Sequence, residues 1–219
     1  MTERNVATGT HGRYLAVPPG VPQASPAPIL VGFHGYAESA ETQLERLRAI
    51  PGSNRWLILS IQGLHRFYQR KTDTVVASWM TSQDRDLAIA DNLAYVSSCI
   101  DAAAAEWPTR SKIVFAGFSQ GVAMAFRAAV HAARGTAAVI AAGGDIPPEI
   151  TPQELSTISQ VLLARGKSDQ FYTEQQFLAD QQRLRDCSVN VLPITPDAGH
   201  EWSPDLVSAA ANLLANLDS

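Results

Sequence analysis

The chain has 219 residues, of which 46% are apolar and 17% charged, and its formal net charge is −4. This composition is typical of a folded protein with a substantial core, and it excludes a disordered chain. The acidic balance argues against electrostatic binding of nucleic acid. Cys99 and Cys187 lack metal-ligand or redox spacing, so we expect two buried free thiols and neither a metal nor a cofactor.

Short apolar runs bounded by turn residues predict strands along the whole chain. In chain order these runs are residues 12–17, 29–33, 56–61, 111–116, 137–141, 160–164 and 188–192. We expect the first run to pair in a hairpin with residues 6–8. Continuous apolar strands of this kind are typical of a parallel sheet that is buried on both faces.

Helices are predicted between these strands, and two other segments are interpreted as loops. The helical segments are residues 42–50, 84–107, 122–130, one that begins at Thr173, and one from Ser203 to about residue 217. Thr173 begins a capping box, and Ser203 is followed by a proline in the first turn. Residues 18–28 and 62–82 are interpreted as loops. The alternation predicts one α/β domain, a mainly parallel twisted sheet with helices on both faces.

The most informative motif is Gly117-Phe118-Ser119-Gln120-Gly121, between a predicted strand and a predicted helix. A Gly-x-Ser-x-Gly turn in this context is typical of a nucleophile elbow. Glycines are needed because bulk two residues before or after the serine would collide with its neighbours. The turn also places the serine at a helix N-terminus, where free N–H groups stabilise an oxyanion. We therefore predict that Ser119 is a nucleophile.

A serine nucleophile needs a base that an acid orients, and both are expected at the carboxyl ends of strands. His200 follows the last strand and precedes the last helix, where the base of a Ser…Asp…His order belongs. His65, in a loop, stays an alternative. The acid is either Asp169, after the strand 160–164, or Asp145, after the preceding strand. The usual acid position follows the later strand, which favours Asp169.

The segment His34-Gly35-Tyr36 follows the strand 29–33. Enzymes with a nucleophile elbow place there the loop that donates the second N–H group of the oxyanion hole. We expect the side chain of His34 to hold this loop by a hydrogen bond. The backbone N–H groups of Tyr36 and Gln120 are then the predicted oxyanion donors.

Four motifs together resemble the carboxylesterase/phospholipase group of α/β-hydrolases, which includes acyl-protein thioesterases and small bacterial carboxylesterases. In chain order they are His34-Gly35-Tyr36, Gly117-Phe118-Ser119-Gln120-Gly121, Gly166-Lys167-Ser168-Asp169 and Gly199-His200. The resemblance implies an α/β-hydrolase fold, a Ser119–Asp169–His200 triad, and oxyanion donors at Gln120 and Tyr36. The group often has Leu-Gly after the His-Gly pair. This chain has Tyr36-Ala37 there, and we expect this departure to narrow the acyl side of the pocket.

The expected function is hydrolysis of carboxylic esters, or of thioesters, through an acyl-enzyme. Residues 142–159 are too few for a lid domain, so we expect an open site that takes small-molecule esters. The alternatives are acyl transfer on the same triad and a non-catalytic hydrolase-like protein that binds a ligand.

A cytoplasmic protein is expected, because no apolar run is long enough to span a membrane. The oligomeric state is left open. Candidate pocket walls are Phe67, Tyr68, Trp79 and Trp202.

Overall fold

Strands and helices alternate along most of the chain in the computed structural model, which describes residues 1–20 and 26–218. The strands are β1 (Tyr14–Val17), β2 (Ala27–Phe33), β3 (Leu57–Ile61), β4 (His65–Gln69), β5 (Thr74–Ser78), β6 (Thr109–Phe118), β7 (Thr136–Ala142), β8 (Gln160–Ala164) and β9 (Asn190–Ile194). The α-helices are α1 (Ala40–Arg48), α2 (Arg85–Glu106), α3 (Gln120–His131), α4 (Pro152–Leu155), α5 (Glu174–Asp186) and α6 (Pro204–Asp218). The predicted strands and helices therefore recur in the predicted order, with ends that differ by a few residues.

One mainly parallel sheet has the candidate site residues at the ends of its strands. Its strand order is β1-β3-β2-β6-β7-β8-β9. Only the β1–β3 pairing in this sheet is antiparallel among the residues that the structure describes. The strand that leads to Ser119, β6, is the central one. Parallel strands end at the same edge, so the segments after β2, β6, β7, β8 and β9 all meet there.

Helices cover both faces of this sheet, which explains the continuous apolar strands. On one face, Phe33 and Phe115 belong to a core with apolar residues of α2, α3 and α5. On the other face, Leu30 and Val114 belong to a second core with residues of α1 and α6. Successive residues of a strand point to opposite faces, so a strand covered on both faces must be apolar throughout.

Two sequence-based expectations for the N-terminal half are wrong. Residues 6–8 are exposed and form no strand, and β1 pairs with β3 instead, with Tyr14 opposite Ile61. Residues 62–82, interpreted as loop, contain β4 and β5, which form an antiparallel hairpin. The side chains of β4 are mostly exposed and polar, so the apolar pattern of a buried strand is missing there.

Smaller differences concern the predicted loop 18–28 and one cysteine. Ala27 already belongs to β2, and residues 21–25 of this loop lie outside the described residues. Both cysteines are free thiols, and Cys99 is buried as expected. Cys187 is only half-buried, because it caps the exposed C-terminal end of α5.

The capping box predicted at the start of α5 is confirmed. The Gln176 N–H donates to Thr173 Oγ1 at 3.3 Å, and the Thr173 N–H donates to Gln176 Oε1 at 2.9 Å. Ser203 caps α6 in a similar way, since its Oγ accepts a hydrogen bond from the Leu206 N–H at 3.3 Å. These bonds use N–H groups that have no acceptor inside the helix.

Thr173→Ala should lower the free energy of unfolding by about 1 kcal/mol, because it removes one half of the capping box. Chemical denaturation of the two proteins under identical conditions measures this difference. Thr173→Ser keeps the hydroxyl and is the matched control, expected close to wild type. Equal stability of the alanine and serine variants would mean that the cap does not stabilise α5.

Candidate active site

Ser119 lies in a strained turn that requires glycine two residues before it and two residues after it. Its φ is 52° and its ψ is −120°, outside the region that most residues adopt. A Cβ on Gly117 would lie 2.3 Å from the carbonyl oxygen of Gly121. A Cβ on Gly121 would lie 2.1 Å from the carbonyl oxygen of Phe33. Both contacts are with backbone, so no side-chain movement relieves them, and the spacing of the motif follows from this crowding.

The structure brings Ser119, His200 and Asp169 together from three different strand ends. The Oγ of Ser119 lies 2.9 Å from Nε2 of His200. Nδ1 of the same imidazole lies 2.8 Å from Oδ2 of Asp169. A carboxylate only accepts hydrogen bonds, so Nδ1–H donates to it and Nε2 is left to accept the hydroxyl proton of Ser119.

Asp169 is held in place by backbone groups of its own loop. Its side chain is nearly inaccessible to solvent, and Oδ1 accepts hydrogen bonds from the N–H groups of Phe171 at 2.8 Å and Tyr172 at 3.0 Å. The other oxygen is thereby directed at His200. The rival acid Asp145 is exposed and lines a cleft beside Ser119, and the alternative base His65 is exposed in β4.

The predicted oxyanion loop lies against the nucleophile elbow. A Cβ on Gly121 would also lie 2.7 Å from the carbonyl oxygen of His34, and one on Gly35 would lie 3.2 Å from the ring of Phe118. The loop after β2 therefore touches both sides of the elbow. Gln120 is the first residue of α3, so its N–H has no acceptor within the helix.

His34 is fully buried and holds the predicted oxyanion loop, the segment after β2, by a side-chain hydrogen bond, as the sequence predicts. Its Nε2 accepts a hydrogen bond from the Gly63 N–H at 3.0 Å, so the ring proton is on Nδ1. That Nδ1–H donates to the Gly35 carbonyl oxygen at 2.7 Å. Burial lowers the pKa of His34 from its ordinary value and favours the neutral imidazole.

Two glycines after β7 make room for the imidazole of His200 and for the elbow. This role was not predicted from the sequence. Gly143 has a φ of +66°, and a Cβ there would lie 3.0 Å from Cε1 of His200 and 3.3 Å from Asp169 Oδ2. A Cβ on Gly144 would lie 2.4 Å from the backbone oxygen of Ser119. The sequence signal was the Gly-Gly pair directly after a buried strand.

An open cleft lies beside Ser119. Met80, Ala123 and Phe171 line it, and the charged residues Arg85 and Asp145 lie in its lining. Phe171 is 77% exposed, and its ring centroid lies 4.9 Å from that of His200. An exposed aromatic side chain beside the imidazole offers an apolar surface to a substrate.

None of the four aromatic residues expected as pocket walls lines this cleft in the described part of the chain. Trp79 is fully buried, and its indole N–H donates to the His34 carbonyl oxygen at 2.8 Å. Trp202 packs against the core beneath α6. Tyr68 is mostly exposed, whereas Phe67 contacts the ring of Tyr36 with 5.7 Å between centroids. Nothing in the sequence indicated which aromatic side chains face the cleft.

The side chain of Gln120 fixes one wall of the cleft. Its Oε1 accepts a hydrogen bond from the Trp79 N–H at 3.0 Å, and its Nε2 donates to the Met80 carbonyl oxygen at 3.0 Å. The residue after the nucleophile therefore positions the segment that follows β5. No pattern in the sequence indicated this contact.

A family comparison decides the class of the protein. Residues 21–217 match the family described as Phospholipase/Carboxylesterase, which covers most of the chain. The chain belongs to this family. Its description names ester hydrolases, so the chain is a carboxylic ester hydrolase, and the resemblance drawn from the four motifs is confirmed.

Similar solved structures include the carboxylesterase from Mesorhizobium loti, with a TM-score of 0.76 and 15% identity over 93% of this chain and 94% of that one. The Bacillus cereus carboxylesterase has a TM-score of 0.70 and 16% identity, with 94% of each chain covered. Zea mays acyl-protein thioesterase 2 has a TM-score of 0.71 and 20% identity, over 94% of this chain and 99% of that one. At these identities the likeness shows the fold, and the predicted α/β-hydrolase fold is confirmed.

No curated protein matches the chain in sequence. Among the described residues, no helix combines the length and the apolar character needed to cross a membrane.

Gly143→Ala should reduce ester hydrolysis about tenfold or more, because the new methyl group displaces the imidazole from its aligned position. The positive φ adds backbone strain, so a modest loss of stability is expected as well. Gly199→Ala is the matched control, since a Cβ there meets nothing within 4 Å although His200 is the next residue. The measurement is kcat at saturating ester; equal activity of the two variants would contradict the packing argument.

Proposed function

We propose that this protein hydrolyses small carboxylic esters, or thioesters, through an acyl-enzyme formed on Ser119. The chief support is the chain of two hydrogen-bond contacts, from Ser119 Oγ to His200 Nε2 at 2.9 Å and from Nδ1 to Asp169 Oδ2 at 2.8 Å. A serine hydroxyl is a weak nucleophile near neutral pH, and an adjacent, oriented base activates it.

In the first half of the reaction, Ser119 Oγ attacks the carbonyl carbon and its proton passes to Nε2 of His200. Asp169 holds the imidazole in the required tautomer and stabilises its charged form. The oxygen of the tetrahedral intermediate is bound by the N–H groups of Tyr36 and Gln120, each worth roughly 3 kcal/mol of transition-state stabilisation. Collapse expels the alcohol or thiol, which takes the proton from His200, and leaves the acyl group on Oγ.

In the second half, water attacks the acyl-enzyme while His200 accepts one of its protons. The new tetrahedral intermediate uses the same oxyanion donors, and its collapse releases the carboxylic acid and returns the proton to Ser119. Arg85 and Asp145 line the cleft and are exposed to solvent. Water therefore has access to the acyl group, which favours hydrolysis over transfer to another acceptor. A cytoplasmic location stays a prediction from the sequence.

Ser119→Ala should abolish covalent labelling by a fluorophosphonate and reduce ester turnover by about 10⁴–10⁶, because the nucleophile is lost. Intact-protein mass spectrometry measures the labelling, and far-UV circular dichroism checks the fold. Ser82→Ala removes another serine hydroxyl of the same cleft and should still label fully. Stoichiometric labelling of Ser119→Ala would show that the nucleophile lies elsewhere.

Asp169→Asn should reduce kcat by about 10⁴, because an amide at this position favours the wrong imidazole tautomer. Asp145→Asn is the matched control, since Asp145 is an exposed carboxylate of the cleft, and its kcat should stay close to wild type. Steady-state hydrolysis of a p-nitrophenyl ester compares the two. The opposite ranking would transfer the role of the acid to Asp145.

A further inference from the structure

A glutamate within the oxyanion loop binds the backbone of that loop. Glu38 Oε2 accepts a hydrogen bond from the Gly35 N–H at 2.7 Å. The same carboxylate receives both terminal nitrogens of Arg46 in α1, with Nη1–Oε2 at 2.6 Å and Nη2–Oε1 at 2.7 Å. The side chains of Glu38 and Arg46 are 21% and 16% exposed, so solvent screens this bidentate pair only in part.

The guanidinium of this pair also touches the elbow. Its central carbon lies 4.1 Å from the centre of the Phe118 ring, in a cation–π contact. Phe118 directly precedes Ser119, and its ring centroid lies 5.0 Å from that of His200. Arg46 therefore links the oxyanion loop to the strand end that carries the nucleophile.

Together with the geometry of the peptide bond, these contacts fix the direction of the Tyr36 N–H group. The peptide between Gly35 and Tyr36 is planar and trans, so its carbonyl and the Tyr36 N–H point in opposite directions. The carbonyl of Gly35 is held by His34 Nδ1–H at 2.7 Å, and the N–H of Gly35 is held by Glu38. With both sides of Gly35 bound, the Tyr36 N–H has a fixed direction.

The loop needs such restraints because its backbone is strained. Ala37 has a φ of 57°, in the left-handed region that residues with a side chain disfavour. Main-chain bonds to β5 hold one side, where the Ala37 N–H donates to the Ala77 carbonyl oxygen at 3.0 Å and the Ala77 N–H donates to the Glu38 carbonyl oxygen at 2.8 Å. A strained conformation persists only when its surroundings determine it, and the Glu38 carboxylate restrains the other side.

We propose that the Glu38–Arg46 ion pair is a positioning device that aims the Tyr36 N–H at the oxyanion. This inference rests on the proposed function, in which Tyr36 supplies one of the two donors. Arg46 has a second effect, since it neutralises a carboxylate that would otherwise oppose negative charge developing nearby.

The charge state of Glu38 agrees with this role. Burial acts to raise the pKa of its carboxyl, but the hydrogen bonds and charge of Arg46 outweigh burial, and the pKa is lowered overall. The ion pair therefore stabilises the folded protein at pH values above the ordinary pKa of a glutamate. This contribution disappears as the pH falls through the lowered pKa of Glu38. At the neutral pH of an esterase assay the pair is intact.

Glu38→Ala should reduce kcat about 10- to 100-fold with little change in KM, because a misdirected donor weakens transition-state binding alone. The inhibition constant for an alkyl boronic acid, which forms a tetrahedral adduct, should rise by a similar factor. Both quantities are expressed per active site, titrated with a fluorophosphonate, so that unfolded protein does not contribute.

Three further variants sharpen this test. Glu38→Gln keeps an oxygen that accepts the Gly35 N–H but loses the charge that pairs with Arg46, so its kcat should lie between those of wild type and Glu38→Ala. Arg46→Gln leaves the carboxylate unneutralised and should also lower kcat. The double variant Glu38→Gln/Arg46→Gln should be more active than Arg46→Gln alone, since no uncompensated charge remains.

The matched control is Glu41→Gln, which breaks another ion pair of α1, between Glu41 and the exposed Arg13. It should match wild type in kcat and in boronic acid inhibition. If Glu38→Ala does not fold, Arg46→Gln decides by the same two quantities. Values equal to wild type in Glu38→Ala, or in Arg46→Gln where only that variant folds, would overturn the proposal. A wild-type protein that neither labels nor turns over ester would instead overturn the proposed function.

Discussion

The nucleophile elbow depends on three places where main chains touch with no side chain between them. Gly117 meets the carbonyl of Gly121, Gly121 meets the carbonyl of Phe33, and Gly144 meets the carbonyl of Ser119. These contacts join the ends of β6, β2 and β7 to the first turn of α3. Because backbone cannot move aside as a side chain does, the strained conformation of Ser119 is set by the central sheet itself.

Two polar side chains of the candidate site each bind two of its parts. Asp169 binds His200 with one oxygen and the backbone of its own loop with the other. Gln120 occupies the first position of α3, while its side chain binds the backbone of Met80 in the cleft wall. Such double contacts leave little for the site to rearrange during the reaction. Fixed donors of this kind stabilise a transition state more effectively than mobile ones.

The sequence predicted those parts of the molecule that local rules determine. The strand order along the chain follows from continuous apolar runs, and the elbow at Ser119 follows from glycine spacing between a strand and a helix. It left Asp169 and Asp145 as rival acids, because both follow a strand and only the folded chain shows which carboxylate meets His200. The hairpin within residues 62–82 was missed, since its exposed polar strand lacks the apolar pattern that reveals buried ones. Contacts between side chains distant in sequence, such as those in the cleft, leave no periodic signal.

A crystal structure of the enzyme after reaction with a fluorophosphonate tests the central claim most directly. The account predicts a covalent bond between phosphorus and Ser119 Oγ. It also predicts a phosphoryl oxygen about 2.7–3.1 Å from the backbone nitrogens of both Tyr36 and Gln120, the distance expected for oxyanion donors. An adduct on another residue, or a phosphoryl oxygen directed away from both nitrogens, would contradict it.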